Sequence, residues 1–323
     1  VTLSTHDLVV SYRNDDRRAL DRVSIDVLPG RILAIVGPSG AGKTTLLRVI
    51  AGLLRARSGD VVLDGQSVVE RAPQARRIAL VFQDDALFAN MTVRGNLQFA
   101  QRRPMREAHA QVLEAASALH IAPLLERRPR ELSGGERQRA SMARALLSDP
   151  KALLMDEPLA HLDPSLRRSV RDEVLGVRER FSGPIVYVTH DHAEAMGIGD
   201  ELAVLVDGRI EDRGEPQRVY DKPRTMRVAR FLGDRPMNLL EGEDVIGIRP
   251  EHVRLIAGGG LRGRVTRRES TGADAYVLVE TARGEITARV PAALAVSPND
   301  LVELELPAEH VRRFNRVSGV ATV

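Results

Sequence analysis

The chain has 323 residues, 43% of them hydrophobic and 28% charged, with 47 Lys plus Arg against 44 Asp plus Glu. That length suits about two domains with separate cores, and a near-balanced charge without a sustained Lys/Arg block argues against a nucleic-acid footprint. The absence of cysteine excludes disulfides and thiolate metal sites, 3% aromatics without tryptophan argue against base-stacking platforms, and no signal peptide or apolar run of roughly 18 residues is present.

The first segments, LVVSY and VSIDV, alternate as strands, with the polar NDDRR between them as a loop. RILAIV, at 31–36, is a short apolar run that reads as a buried parallel strand. GPSGAGKTT follows directly and fits G-x-x-x-x-G-K-[ST], with Gly37, Gly42, Lys43 and Thr44 at the required spacing. TTLLRVIAGLL then reads as a helix with no breaker before Gly52. Strand, loop and helix in this order put backbone N–H groups and a helix N-terminus around an anionic phosphate chain. Gly40 and Gly42 permit positive φ and close backbone approach. The stretch Gly37, Pro38, Ser39, Gly40, Ala41, Gly42, Lys43, Thr44, Thr45 is therefore a candidate nucleotide-binding loop, and it implies a nucleoside triphosphate and a magnesium ion.

Further along, VVLDGQSV carries Asp64-Gly65, a hairpin signal that LAVLVDGRI repeats at Asp207-Gly208. MREAHAQVLEAASALH places Val112, Ala115, Ala116 and Leu119 on one helical face, and ERQRASMARALL does the same with Ala140, Ala143, Leu146 and Leu147. Just before the second of these, Ser133, Gly134 and Gly135 combine a hydroxyl, two small residues and a helix N-terminus. They form either a second anion-binding surface or a plain Ser cap. ALLMDE reads as a strand ending in Asp156, placed to hold magnesium through water, and Glu157, placed to polarise an attacking water. The competing reading is a pair of strand-end surface acids. IVYVT, from Ile185, is another buried strand. Strands alternating with helices as far as Asp200 argue an α/β core with a largely parallel sheet. The pattern changes near Gly233, where VIGIRP, GRVTRRE, AYVLVET, EITARV and LVELEL suggest a small β-barrel.

Together, the loop and LSGGERQ make the sequence resemble the ATP-binding cassette (ABC) family, whose signature segment is LSGGQ. The resemblance runs nearly continuously from residue 1 to about 235. It implies an α/β P-loop NTPase cassette over 1–235, with a mixed, largely parallel core sheet, an antiparallel β subdomain and a helical subdomain. A small all-β OB-like (TOBE) domain over 236–323 would follow. By the same resemblance, Lys43 reaches the β- and γ-phosphates and Thr44 and Asp156 serve magnesium. Gln83 in ALVFQDDALF touches the metal and the lytic water and senses a permease. Glu157 is the general base or water-orienting group, and His190 in VYVTHDHAEAM is the switch histidine at the γ-phosphate. Tyr12 stacks on adenine, Ser133, Gly134, Gly135 and Glu136 face ATP held by a second subunit, and Asp163 in LAHLD couples the two sites. Glu136 occupies the glutamine position of the signature. His161 and His192 also depart from the usual pattern. Each reads as an exposed neutral side chain, or as a partner contact at His161 and a mild pH dependence at His192.

GIRPEHV at 247–253, with FLGDRPMNLLEG before it, resembles the sugar and glycerol-phosphate importer branch, the maltose-importer type. That branch usually carries a further segment between these stretches. Only EDVI intervenes here, so the tail domain is expected to be shortened. The resemblance implies an ATPase that closes around two ATP molecules as a homodimer or with a homologous subunit. Its partners would be two integral-membrane permease subunits and, indirectly, an extracytoplasmic solute-binding protein, with no nucleic acid. It would sit peripherally on the cytoplasmic face of the membrane. Polyamine, iron, sulfate or molybdate uptake is the alternative, and a non-transport cassette stands behind that. DDALFANMTVRGNLQFA, with Leu87, Phe88 and Met91, is read as the groove for the permease's cytoplasmic helix or as ordinary core.

Overall fold

The computed structural model describes residues 1–12, 18–83, 86–101, 105–160 and 164–322, with backbone alone at 105–108 and 164–170. His161 and Asp163 lie outside the described residues. The chain divides into two compact units, Val1–Pro216 and Gln217–Val323. No helix among the described residues is long and apolar enough to cross a membrane.

In chain order the first unit contains β1 (Leu3–Ser11), β2 (Arg18–Val27), β3 (Ile32–Val36), α1 (Lys43–Ala51), β4 (Ser58–Leu63), β5 (Gln66–Ser67), α2 (Pro73–Arg76) and β6 (Ile78–Val81). It continues with α3 (Val93–Ala100), α4 (Met105–Ala118), α5 (Gly134–Leu147), β7 (Ala152–Asp156), α6 (Pro164–Arg180), β8 (Ile185–Val188), α7 (His192–Ile198), β9 (Glu201–Val206) and β10 (Arg209–Gly214). The central sheet has the order β10-β9-β3-β8-β7-β6, parallel throughout except for the β9–β10 hairpin. A separate antiparallel sheet has the order β2-β1-β4-β5.

The apolar runs of β3, β7 and β8 are buried along their whole length because both faces of the sheet are covered. Successive side chains alternate between the two cores, as a period of two requires. Leu33, Ile35, Leu154, Val186 and Val188 pack with α1 and with the antiparallel sheet. Ile32, Leu153, Met155, Ile185 and Tyr187 pack on the other side with residues of α3, α4, α5 and α6. Of the helical faces read from periodicity, Val112, Ala116, Leu119, Ala140 and Ala143 are buried, whereas Ala115, Leu146 and Leu147 are only partly so. Both hairpin signals hold. Asp64 and Gly65 have φ of 56° and 72°, and Asp207 and Gly208 have 48° and 76°, the double positive φ that matches strand twist.

The second unit contains α8 (Pro216–Asp221, which begins at the border), α9 (Met226–Phe231), β11 (Asn238–Leu240), β12 (Val245–Ile248), β13 (Arg254–Ile256), β14 (Leu261–Ser270), β15 (Asp274–Thr281), β16 (Gly284–Pro291), β17 (Leu301–Glu305) and β18 (Arg312–Phe314). Its sheets, β11-β12-β18 and β13-β17-β14-β15-β16, are antiparallel. Val265, Val277, Val279, Ile286 and Leu304 are among the residues of their core. The short EDVI connection makes β11 and β12 a direct hairpin, pairing Asn238 with Ile248 and Leu240 with Ile246.

This unit begins at Gln217, ahead of the 235/236 border that the resemblance implies, and the reason is visible at Arg249. Its guanidinium is 1% exposed, lies 4.0 Å from the Tyr220 ring centroid and donates to the carbonyl oxygens of Tyr220, Ala229 and Leu232. One buried cation in GIRPEHV thus caps the ends of α8 and α9. Backbone bonds from Met226 to Gly319 and from Ala321 to Arg224 tie the start of α9 and the segment before it to the stretch after β18.

Candidate functional site

The loop after β3 needs glycine where it has it. Gly42, the residue before α1, has φ 105°, and a Cβ there would lie 2.3 Å from the Ala19 carbonyl oxygen. A Cβ on Gly37 would lie 2.1 Å from the Leu205 carbonyl oxygen. Leu46 N–H, one turn into α1, already bonds Gly42, so the amides ahead of it point out of the helix end toward any anion. A cavity of about 310 Å³ opens here, lined by residues 39–45 together with Glu157 and His190.

Lys43 is 7% exposed, and its Nζ donates to Gly37 O at 2.7 Å and Pro38 O at 3.1 Å. The loop's own carbonyls therefore aim the ammonium along the rim. Burial holds its pKa below the ordinary lysine value, and the fields of Glu157 and Asp156 pull the other way. Tyr12 is 46% exposed, and its hydroxyl lies 2.8 Å from Thr45 Oγ1. Its hydroxyl contact thus places the half-exposed ring beside the loop.

The carboxylates come from the end of β7. Asp156, buried, accepts from Thr44 Oγ1 at 3.2 Å, and burial raises its carboxyl pKa above the usual range. Glu157 takes a left-handed φ of 46°, which turns its side chain off the strand line while its N–H bonds Val188 O at 2.9 Å. Its Oε2 lies 2.9 Å from His190 Nδ1. With Glu157 ionised, Nδ1–H donates, and Nε2 of the 58%-exposed His190 ring remains for a further partner.

Thr44 and Asp156 are hard oxygen donors, which suits magnesium. Among the described residues no cluster of three or more His, Asp or Glu could hold a metal unaided.

Sequence reasoning passed over the support beneath His190. Tyr187, fully buried on β8, donates its hydroxyl to Glu194 Oε1 in a short hydrogen bond. Burial, with Glu194 beside it, pushes the phenol well above its ordinary pKa, so it stays a donor. Asp191 caps α7 by accepting from Glu194 N at 2.9 Å, and Thr189 Oγ1 accepts from Asp191 N at 3.1 Å. His190 thus sits on a bridge tethered at both ends. The available signal was a lone tyrosine in an otherwise aliphatic strand with an acid seven residues on. His192 begins α7, outside the cavity lining.

The chain does not bring every predicted residue to this cavity. Gln83 is exposed and does not line it. The signature segment does not line it either. Ser133 instead caps α5, its Oγ accepting from Glu136 N at 3.3 Å while Glu136 Oε2 accepts from Ser133 N at 2.7 Å. The hydrogen bonds with Ser133, helped by the fields of Arg127 and Arg139, lower the Glu136 carboxyl pKa. The amides of Gly134 and Gly135 have no intrahelical acceptor, and the Ser133 O–H can still donate. Such a helix end can meet an anion presented from elsewhere. Leu87 and Met91 are partly buried, and Phe88, 40% exposed, meets Phe99 edge-on at 4.9 Å.

A family model described as ABC transporter matches residues 20–160, and one described as TOBE domain matches 246–314. The chain is 39% identical over 326 residues to "sn-glycerol-3-phosphate import ATP-binding protein UgpC 1" of Rhizobium etli, with 94% of each chain covered. It is 37% identical to the UgpC protein of the same description in Chromobacterium violaceum, covering 97% of this chain and 94% of that one. Among solved structures, a nucleotide-free ATP-binding cassette from an ABC transporter aligns with a TM-score of 0.64 at 26% identity, covering 72% of this chain and 99% of that one. A dimeric post-hydrolysis ATP-binding cassette bound to ADP and Pi aligns with a TM-score of 0.60 at 28% identity, covering 66% and 98%.

Proposed function

This chain belongs to the ABC transporter family, in which it is an ATP-hydrolysing import subunit, and from that premise we propose how its residues act and what it helps to import. The observation that carries the reading is one cavity where the phosphate loop, Lys43 and the Glu157–His190 pair meet. Backbone amides of 39–45 hold the phosphate chain, Lys43 neutralises its β- and γ-oxygens, and Tyr12 stacks on the adenine. Thr44, Asp156 and Gln83 would hold magnesium, which when bound would screen phosphate charge. Glu157 orients the attacking water and takes its proton, while His190, fixed through Nδ1, directs Nε2 at the γ-phosphate.

Ser133, Gly134, Gly135 and Glu136 serve the ATP of a second copy, and Asp163 links the two sites. The active arrangement is therefore a homodimer enclosing two ATP molecules, completed only on closure. Opening and closing act on two permease subunits at the cytoplasmic face of the membrane, fed by an extracytoplasmic solute-binding protein. Relatives named for sn-glycerol-3-phosphate import support glycerol phosphate, or a sugar, as the solute. Co-reconstitution with the neighbouring permease and binding protein in vesicles tests this. ATP-dependent accumulation of glycerol 3-phosphate is expected, and accumulation of a polyamine, iron, sulfate or molybdate instead would overturn the assignment.

A further inference from the structure

Most arginines of the second unit have visible partners. Arg235, Arg254, Arg262, Arg267, Arg289 and Arg316 each pair with a carboxylate. Among the described residues Arg283, Arg312 and Arg313 have no side-chain hydrogen bond or ion pair, and all three line one cavity of about 450 Å³. Arg312 and Arg313 come from β18, an edge strand, and Arg283 from the β15–β16 turn. Among the described residues no acidic one lines that cavity, although Glu241, Glu243 and Asp244 are close in the chain to its residue Ile246. Glu241 faces Arg316 at 3.6 Å.

Two polar atoms of lining residues, Arg312 Nε and Thr322 Oγ1, are buried without a hydrogen-bond partner. Buried polar groups are ordinarily paired, and three arginines lining one hollow, Arg312 half-buried and Arg283 and Arg313 exposed, make it electropositive. Ile246 and Val311 supply apolar lining beside the arginines. Three cations fit a dianion better than a singly charged carboxylate, and the guanidinium fork matches phosphate oxygens. The volume falls in the range of small-molecule sites, about 300–1,000 Å³.

We propose that this cavity binds a small phosphate monoester, its head among Arg283, Arg312 and Arg313 and its short apolar body against Ile246 and Val311. The site is separate from the triphosphate cavity, and its existence does not depend on which solute is imported.

The test is calorimetric titration of the full-length protein with n-butyl phosphate, with the nucleotide site saturated by a non-hydrolysable ATP analogue and magnesium. One butyl phosphate per chain is expected, binding more tightly than inorganic phosphate or butyrate. Arg283→Ala and Arg313→Ala should each weaken it about tenfold, as loss of a charge-assisted contact does, with analogue affinity unchanged. In nitrogen-resolved NMR the Arg312 Nε–H signal should move on titration. Absence of saturable binding at millimolar ligand, equal binding by the Arg283→Ala/Arg313→Ala double variant, or displacement by the ATP analogue would each overturn the proposal.

Discussion

Glu157→Gln offers the sharpest test of the site because it changes charge while keeping shape. The side chain is 20% exposed, and its one resolved side-chain partner is His190 Nδ1 at 2.9 Å. A glutamine Oε1 can accept the same Nδ1–H, so His190 should keep its place. The backbone bond from residue 157 to Val188 O and the left-handed φ do not depend on the side chain. What disappears is the acceptor for a proton from water. General-base catalysis contributes about 10²- to 10⁴-fold, equivalent to roughly 3–5 kcal/mol of barrier. ATP binding should be retained, since Lys43 and the loop amides are untouched, and the closed dimer should accumulate because hydrolysis no longer reopens it. The assay is phosphate release at saturating ATP, with analytical ultracentrifugation in ATP and in ADP. A kcat within threefold of wild type would refute the assignment, as would an ATP-independent oligomeric state.

Arg249→Met keeps much of the volume but strips donors from three carbonyls. At about 1–3 kcal/mol per unsatisfied group, less some rehydration, the second unit should lose ~4 kcal/mol. Calorimetry should show its transition falling while nucleotide binding by Val1–Pro216 persists. Truncation after Pro216 should leave a folded ATP-binding fragment, checked by melting with and without ATP. Truncation after residue 239 should be more prone to aggregation, because it strands α8 and α9 without Arg249. Asp156→Asn should abolish ATP turnover yet raise the melting temperature of the metal-free protein at neutral pH. The sign follows from burial: a folded pKa raised above the unfolded one means the ionised carboxylate destabilises the fold above that range. The advantage of asparagine should therefore vanish as pH falls below the carboxylate range in thermal melts. Glu136→Gln retains the cap acceptor and removes a negative charge from the α5 N-terminus. ATP-driven dimerisation should strengthen several-fold at low salt and less at high salt, read by sedimentation.

Much of the site was legible because it is local. The phosphate loop is one turn between a strand and a helix, so glycine spacing, lysine and threonine all lie in a nine-residue stretch. The hairpins at Asp64-Gly65 and Asp207-Gly208 were equally readable, since positive φ at both turn positions admits few residue types. The two-face burial of β3, β7 and β8 followed from their unbroken apolar runs. Periodicity overstated Leu146 and Leu147, because a helix face names a direction and not the depth of what covers it.

The amino-acid sequence by itself determined the loop, the signature cap, the strand-end acids and the α/β character, all written within single elements. The parallel register decided the rest. Asp156 pairs with Val188, and Val188 with Ile35, so three strand ends lie along one edge. That alignment brings Thr44 to Asp156 and Glu157 to His190, although the pairs are 112 and 33 residues apart. The same physics explains what periodicity could not reveal in the second unit. Arg249 reaching back to α8 and α9, and three arginines gathered around one hollow, depend on antiparallel pairing between distant strands. No spacing rule within one segment encodes such meetings, because their geometry exists only once the sheets have formed.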